Sequence, residues 1–459
     1  RMADNTTVSN KMPRGIPYII GNELAERFSY YGMKTILVVF MTQYIMNHSG
    51  QKDLMNETDA IGWYHWFSTA NYFFPIVGAF LSDILWGKYK TIITLSIVYC
   101  LGHLALALDD TRLGLSIGLT LIAIGSGGIK PCVSAHVGDQ FQEKNKHLLE
   151  KVFSFFYLSI NIGAAISSLL TPVLLNQYGP HLAFGIPGAL MLVATIIFYM
   201  GRHKFIAIKP AGWETYKRDL FSPQGKKAVA NLFIMYLFIA VFWALYDQTG
   251  SSWVIQAGNM DRTVNLGFIS FTLLDSQIQA INPVLVLTLI PIFSLFLYPK
   301  INKIWPLTPL RKISIGMFIT ALSYVLIAIP QGMIDAGGKP GVIWQVFAYV
   351  VLTLAEILIS ITGLEFSYTQ APNTMKSFIM GLWLLSVSFG NFLDTQINSF
   401  VTSLKDASGK ITAAYFWFYV ILMGITAVLF LFVAMRYKEE SYIQSRDDAY
   451  PDPLLVENP

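Results

Sequence analysis

Residues 16–46 read IPYIIGNELAERFSYYGMKTILVVFMTQYIM, and this stretch decides the fold. As a helix it is long enough to cross a hydrocarbon core of about 30 Å, yet it carries Glu23, Glu26, Arg27 and Lys34. Residues three, four and seven apart share a helical face, so Glu23, Arg27, Tyr30 and Lys34 form one stripe. Charge on an otherwise apolar span is too costly to point at lipid. The stripe therefore implies an interior aqueous path.

Comparable apolar runs recur at 60–85, 89–108, 114–138, 150–176, 182–201, 228–250, 279–299, 312–330, 342–366, 378–403 and 412–436. They do not alternate as barrel strands would, so the fold class is an all-α membrane protein with twelve transmembrane helices. The first run has no small-residue cleavage site after a short apolar core, so it is expected to stay in the mature chain rather than act as a signal peptide. Composition agrees. Hydrophobic residues make up 54% of the 459 and charged residues 13%, against about 25% charged in a soluble domain, so there is too little polar surface to coat a soluble particle.

Other classes fall away quickly. Two cysteines make no disulfide framework, and a net charge of +4 does not call for nucleic acid. The seven histidines and the cysteines Cys100 and Cys132 show no metal-ligand spacing, and no Ser-His-Asp triad or ATP-binding loop can be assembled. Gly125, Gly127 and Gly128 lie inside an apolar helix with no preceding strand, so they read as helix-packing residues rather than a phosphate cradle. No enzyme activity, cofactor or metal is expected, and transport energy must come from an ion gradient.

Most of the 32 Lys and Arg fall on one side of this topology, which by the positive-inside rule puts both termini in the cytoplasm. The longest basic connection, 202–227, divides the chain in two. The expected organisation is a cytoplasmic segment 1–14, a six-helix bundle 15–201, a linker 202–227, a second six-helix bundle 228–437 and a tail 438–459. Such halves suggest a transporter rocking about a central site.

Ionisable residues inside spans are functional candidates by default. Beyond helix one they are Lys130 on helix four, Asp247 on helix seven, and Glu356 and Glu365 on helix ten. At ~1.5 Å per residue, Lys130 shares a level with Glu23 and Glu26, Glu356 lies near the midplane, and Lys34, His65 and Asp247 fall in the outer third. Carboxylates outnumber cations, leaving room for a proton or a substrate ammonium.

Glu23-Leu-Ala-Glu26-Arg27-Phe28-Ser-Tyr30-Tyr31-Gly32 resembles the ExxERFxYYG signature of the proton-dependent oligopeptide transporter family, within the major facilitator superfamily. The stretches Gly78 to Tyr89, Gly127-Gly-Ile-Lys130-Pro131-Cys132, Phe156 to Gly163, Phe242 to Gln248 and Gly363 to Pro372 also resemble that family, so the likeness covers essentially all twelve helices. The 202–227 stretch is too polar to hold the two extra helices of some bacterial members. The short Gln331–Gly341 connection has no room for the extracellular domain of animal members, so a microbial source is expected.

The resemblance implies a major facilitator fold and a proton-coupled symporter of di- and tripeptides, in the plasma membrane and, for a bacterium, the inner membrane, with no obligate protein partner. It implies that Glu356 takes the peptide ammonium while Arg27 and Lys130 face the carboxylate, and that Asn161 and Asn282 hydrogen-bond the peptide backbone. Tyr30, Tyr31, Tyr72, Trp243 and Trp383 would line side-chain pockets. Glu23 and Glu26, with Arg27 and Lys130, would couple protons. A Lys34–Asp247 salt bridge near the outside would form a gate, made when the protein faces inward and broken when it opens outward, joined by His65 and Glu365. Two rivals are a proton-coupled carrier of nitrate or another small organic anion, which Glu356 would repel, and a channel or nutrient sensor on the same fold.

Overall fold

The computed structural model describes residues 11–141, 145, 148–210, 212–370 and 376–437. Within them the chain makes twelve long helical segments. Six come first: α1 (Ile16–Gln43), α2 (Glu57–Phe80), α3 (Lys88–Leu108), α4 (Arg112–Asp139), α5 (Leu149–Tyr178) and α6 (Pro180–Met200). The short α7 (Trp213–Leu220) lies in the linker. The seventh segment is α8 (Pro223–Tyr246), which passes through a 3-10 turn into α9 (Ser252–Gly258). The eighth is α10 (Ile281–Ile292), continued by a π-helical turn and α11 (Tyr298–Asn302). Then come α12 (Pro309–Asp335), α13 (Ile343–Glu356) with α14 (Thr362–Gln370), α15 (Lys376–Phe400) and α16 (Ala413–Arg436).

Ten of these segments are apolar and long enough to span a membrane by composition alone. The two that fall short are α1, with its four ionisable side chains, and α2, whose interior holds His65 and Asn71 among aromatics. Caps fix several starts. Asn56 accepts from the Asp59 backbone N–H at 2.8 Å ahead of α2, and Ser222 accepts from the Gly225 N–H at 3.0 Å ahead of α8. Two features depart from the sequence expectation. The seventh span runs on to Gly258 instead of ending near 250, and β1 (Thr263–Asn265) pairs antiparallel with β2 (Ser270–Thr272) where only a loop was expected.

Two large hydrophobic cores form. Among the described residues, one large core joins α1 to α6 and the other α8 to α16, a small third cluster gathers Phe293, Ile357 and Leu358, and the fully buried Val254 and Ile61 each cross into the opposite large core. Within lipid, helices gain little from apolar burial and associate through close packing of small residues. The glycines of α4 do this: a Cβ on Gly78 of α2 would lie 1.9 Å from the Gly128 carbonyl oxygen, so the two backbones touch. That contact draws α4, and Lys130 with it, against α2.

The bundles are fastened to each other at the end remote from the chain termini. There Asn398 donates to the Thr58 carbonyl at 2.7 Å, Thr58 donates to the Gly409 carbonyl at 2.6 Å, and the Ile411 N–H meets Glu57 at 3.0 Å. Deeper in, Ser388 donates to the Thr69 carbonyl and Gln279 to the Thr35 carbonyl. At the terminal end, Phe80 and Phe378 meet Trp213 and Tyr216 of α7 through ring contacts.

Candidate substrate cavity

A cavity of ≈ 230 Å³ lies between the two bundles. Tyr31, Lys34, Tyr72 and Asn161 face it from the first half, and Asp247, Asn282 and Glu356 from the second. Those seven are residues the sequence singled out. Their charges are segregated, with an ammonium on one wall and two carboxylates on the other.

Glu356 ends α13 where the helix widens into a π-helical turn over Ile357–Ile361, a local irregularity common at functional sites. Asn282 donates to Glu356 Oε2 at 2.7 Å and to Thr353 Oγ1 at 3.1 Å, while its Oδ1 accepts from the Tyr246 hydroxyl at 3.1 Å. In this state Asn282 is therefore spent on orienting Glu356. Asn161 donates back to the Tyr157 carbonyl at 3.0 Å.

The ExxER cluster lies behind the wall. Arg27 Nε donates to Glu23 Oε1 at 2.6 Å, a charge-assisted bond, and stands 3.1 Å from Glu26 Oε2. The second contact satisfies distance but not direction, so among the described residues both Glu26 oxygens lack a hydrogen-bond partner although the residue is buried. The Lys130 ammonium also has no hydrogen-bond partner among the described residues and rests 4.0 Å from the centre of the Tyr72 ring and 4.5 Å from that of Tyr30. Tyr72 lines the cavity, so one aromatic ring separates Lys130 from it. Asn71 donates to the Tyr30 hydroxyl at 2.8 Å and fixes that ring.

Several expectations need correction. Lys34 and Asp247 do not pair within 4.0 Å in this state: the Lys34 ammonium sits over the rings of Tyr64, at 5.2 Å, and Tyr30, at 5.9 Å. Asp247 Oδ2 instead accepts from Asn391 at 2.5 Å. Trp243 and Trp383 do not reach the cavity wall; they pack against each other in the second core, with Tyr246 and Tyr236 as neighbours. Tyr30 is buried behind Tyr31. His65 is fully buried and joins the halves, 2.7 Å from Asn391 Oδ1 and 2.9 Å from Ser251 Oγ. The Glu365 side chain lies outside the described residues.

Sequence reasoning missed Tyr64, Tyr157, Tyr246, Tyr349 and Gln279, which also line the wall. Tyr157 and Tyr246 sit inside the family-like stretches, and that placement was the available signal. Asp394, a carboxylate inside the eleventh span, was passed over although the rule on intramembrane charge covers it.

A two-bundle, twelve-helix chain closed at one end around a charged cavity has the architecture of an alternating-access membrane transporter. The pattern of the POT family (PTR2) matches residues 89–218 and 213–418. Human solute carrier family 15 member 2 is 37% identical over 427 residues, covering 81% of this chain and 56% of that protein. The crystal structure of an auto-inhibited POT family peptide transporter superposes with a TM-score of 0.84 at 32% identity, covering 94% of this chain and 99% of the other. That of the POT family transporter PepTSo gives 0.80 at 33%, covering 93% and 98%. The chain belongs to the POT family, and its fold is the multi-pass, twelve-helix major facilitator fold. It spans about half the length of the curated relatives it matches.

Proposed function

We propose that this protein imports di- and tripeptides together with protons by alternating access, the halves 15–201 and 228–437 rocking about the cavity on the 202–227 linker. The observation that carries this reading is the segregation of charge across the cavity. A peptide is a zwitterion, and Glu356 with Asp247 on one wall offers a site for its ammonium. Lys34, with Arg27 and Lys130 close behind, suits its carboxylate. At ≈ 230 Å³ the cavity is smaller than the about 300–1,000 Å³ of drug-sized ligand sites, which favours a small solute. Two carboxylates on the wall oppose a lone anion such as nitrate.

Coupling would run through α1. Arg27 is shared by Glu23 and Glu26, and Lys130 has no hydrogen-bond acceptor among the described residues. A substrate carboxylate that drew either cation toward the cavity would leave a glutamate without its counter-charge, and that glutamate would take a proton. Asn161 and Asn282 would hold the peptide backbone once Asn282 leaves Glu356, and Lys34 with Asp247 would close on each other in another state of the cycle. The lysine- and arginine-rich side supports cytoplasmic termini, which makes the fastened end the outer one, in the plasma membrane or a bacterial inner membrane.

Dialanine uptake into proteoliposomes with and without an inward proton gradient tests the reading. Saturable uptake that rises above equilibrium only with the gradient is expected. Gradient-independent equilibration would favour a channel, and uptake of nitrate but not dialanine would favour the anion carrier.

A further inference from the structure

The turn between the eighth and ninth spanning segments, at the end that bears the chain termini, gathers positive charge without a matching acid. Residues 298–312 read YPKINKIWPLTPLRK and hold Lys300, Lys303, Arg311 and Lys312, while no Asp or Glu occurs anywhere from 276 to 334. Among the described residues none of the four makes a salt bridge. Two of them rest on aromatic rings instead, Arg311 at 4.7 Å from the centre of Trp305 and the Lys312 ammonium at 4.3 Å from that of Tyr298. These contacts bring the end of α11 and the start of α12 to one place. At the opposite end, by contrast, Arg112 pairs with Asp53 at 2.7 Å.

Arg311 and Lys312 also sit where a helix ordinarily carries acids. α12 starts at Pro309 behind the Thr308 cap, and its first turn has no acidic residue. That turn is the positive end of the helix dipole, so two cations there oppose the field of their own helix. An anion held at this point relieves both, because the helix N-terminus and the cations attract the same ligand.

Between the cations the turn is apolar. Ile304 is 90% exposed, and Trp305 beside it is exposed as well. The tip is held outward by its own bonds. The Ile304 and Trp305 N–H groups both donate to the Ile301 carbonyl, at 2.9 and 2.8 Å, and the Leu307 N–H donates to Asn302 Oδ1 at 2.7 Å. Arg311 closes the loop by donating to the Pro306 carbonyl at 2.6 Å. A rigid Ile-Trp tip facing water would be costly, whereas the membrane interface suits it, since tryptophan collects there. The preceding segment continues the same surface, its Leu295 and Phe296 being exposed at membrane depth. A free phosphate or an acidic protein segment would satisfy the cations and leave the tip unused. An anionic phospholipid uses both, its phosphate at the cations and its acyl chains around the tip.

We propose that the 298–312 turn is a binding site for an anionic phospholipid of the adjacent leaflet: Lys300, Lys303, Arg311 and Lys312 hold the headgroup phosphate, and Ile304 with Trp305 enters between the acyl chains. The site tethers the second bundle to one leaflet and lies apart from the cavity between the bundles.

The test uses the full chain in nonionic detergent, with a trifluoromethyl label on a cysteine at Ile304 and with Cys100 and Cys132 replaced by Ala. Fluorine NMR follows the label during titration with dihexanoyl phosphatidylglycerol, dihexanoyl phosphatidylcholine or inorganic phosphate. The phosphatidylglycerol should give a saturable shift and the phosphatidylcholine none, with inorganic phosphate binding about tenfold more weakly or less. The double variant R311Q/K312Q should weaken phosphatidylglycerol binding about tenfold or more. Trp305→Ala should weaken it too while leaving the phosphate titration unchanged, and R202Q/K204Q, a basic pair at the same end of the first bundle, should leave the Ile304 signal unmoved. A merely structural role for Arg311 would change the melting temperature without changing the choice between the two lipids. Equal shifts with both lipids, inorganic phosphate as strong as phosphatidylglycerol, or an unchanged titration in R311Q/K312Q would overturn the proposal. Binding is read without peptide, so failure of the transport reading leaves this result standing and the reverse holds too.

Discussion

Glu356 combines a carboxylate on the cavity wall, a π-helical turn immediately after it and one amide, Asn282, holding its Oε2 at 2.7 Å. Glu356→Gln keeps the shape and removes the charge an ammonium would meet. A hydrogen bond to a charged group contributes about 1.5–3 kcal/mol, so the variant should bind dialanine about ten- to a hundredfold more weakly by calorimetry. Unchanged affinity would remove Glu356 from the ammonium site. For Glu26→Gln, which loses the partly unsatisfied carboxylate beside Arg27, exchange of dialanine across the membrane should persist while gradient-driven accumulation falls to equilibrium, as read by counterflow and uptake in parallel. Undiminished accumulation would take Glu26 out of the coupling site. Charged residues were legible in the sequence because charge inside an apolar span has few other uses. The state of each pair was not: whether Lys34 meets Asp247 or two tyrosine rings depends on how far the halves are closed, and that depends on contacts between them such as His65 to Asn391 and Asn398 to Thr58 that no spacing encodes. Asp394 was legible by the same rule, since it lies inside an apolar span.

At the scale of helices, twelve spans were readable because each apolar run had to cover the same thickness of hydrocarbon. The ends were less so. The extension of the seventh segment to Gly258 runs through the polar stretch 247–252, which reads as a loop until the buried Gln248, Ser251 and Ser252 are seen to bond each other and the neighbouring helices. The hairpin 263–272 turns at Gly267, whose φ of +85° suits glycine, but the two strands are too short for a period of two to show. The glycines of α4 were legible as packing residues, and the contact with Gly78 gives the reading a magnitude. Gly78→Leu would drive a side chain into the Gly128 backbone, and overpacking of this kind costs typically about 1–3 kcal/mol. The variant should melt earlier in detergent than the parent, and an unchanged melting temperature would show that α2 and α4 can separate freely.

Over the whole molecule, two cores linked at one end make a hinged pair. The equilibrium between its states is set by the few inter-bundle bonds, each worth about 0.5–1.5 kcal/mol net. Asn398→Ala removes the 2.7 Å bond to the Thr58 carbonyl and should shift the population away from this closed end by about two- to tenfold, visible as a longer distance between spin labels on cysteines at the exposed positions Ser49 and Ala407. No change would mean that the bond is incidental to closure. The division into halves was readable from the polar 202–227 connection, whereas the choice of closed end was not, since it rests on pairings between residues more than 300 positions apart, such as Asn398 with Thr58 and His65 with Asn391. The central claim is that protons drive a zwitterionic peptide into the cavity between these halves. Dialanine accumulation in proteoliposomes tests it most directly: the account predicts uptake above equilibrium under an inward proton gradient, collapsing when a protonophore dissipates that gradient, and accumulation that survives the protonophore, or never exceeds equilibrium, would contradict it.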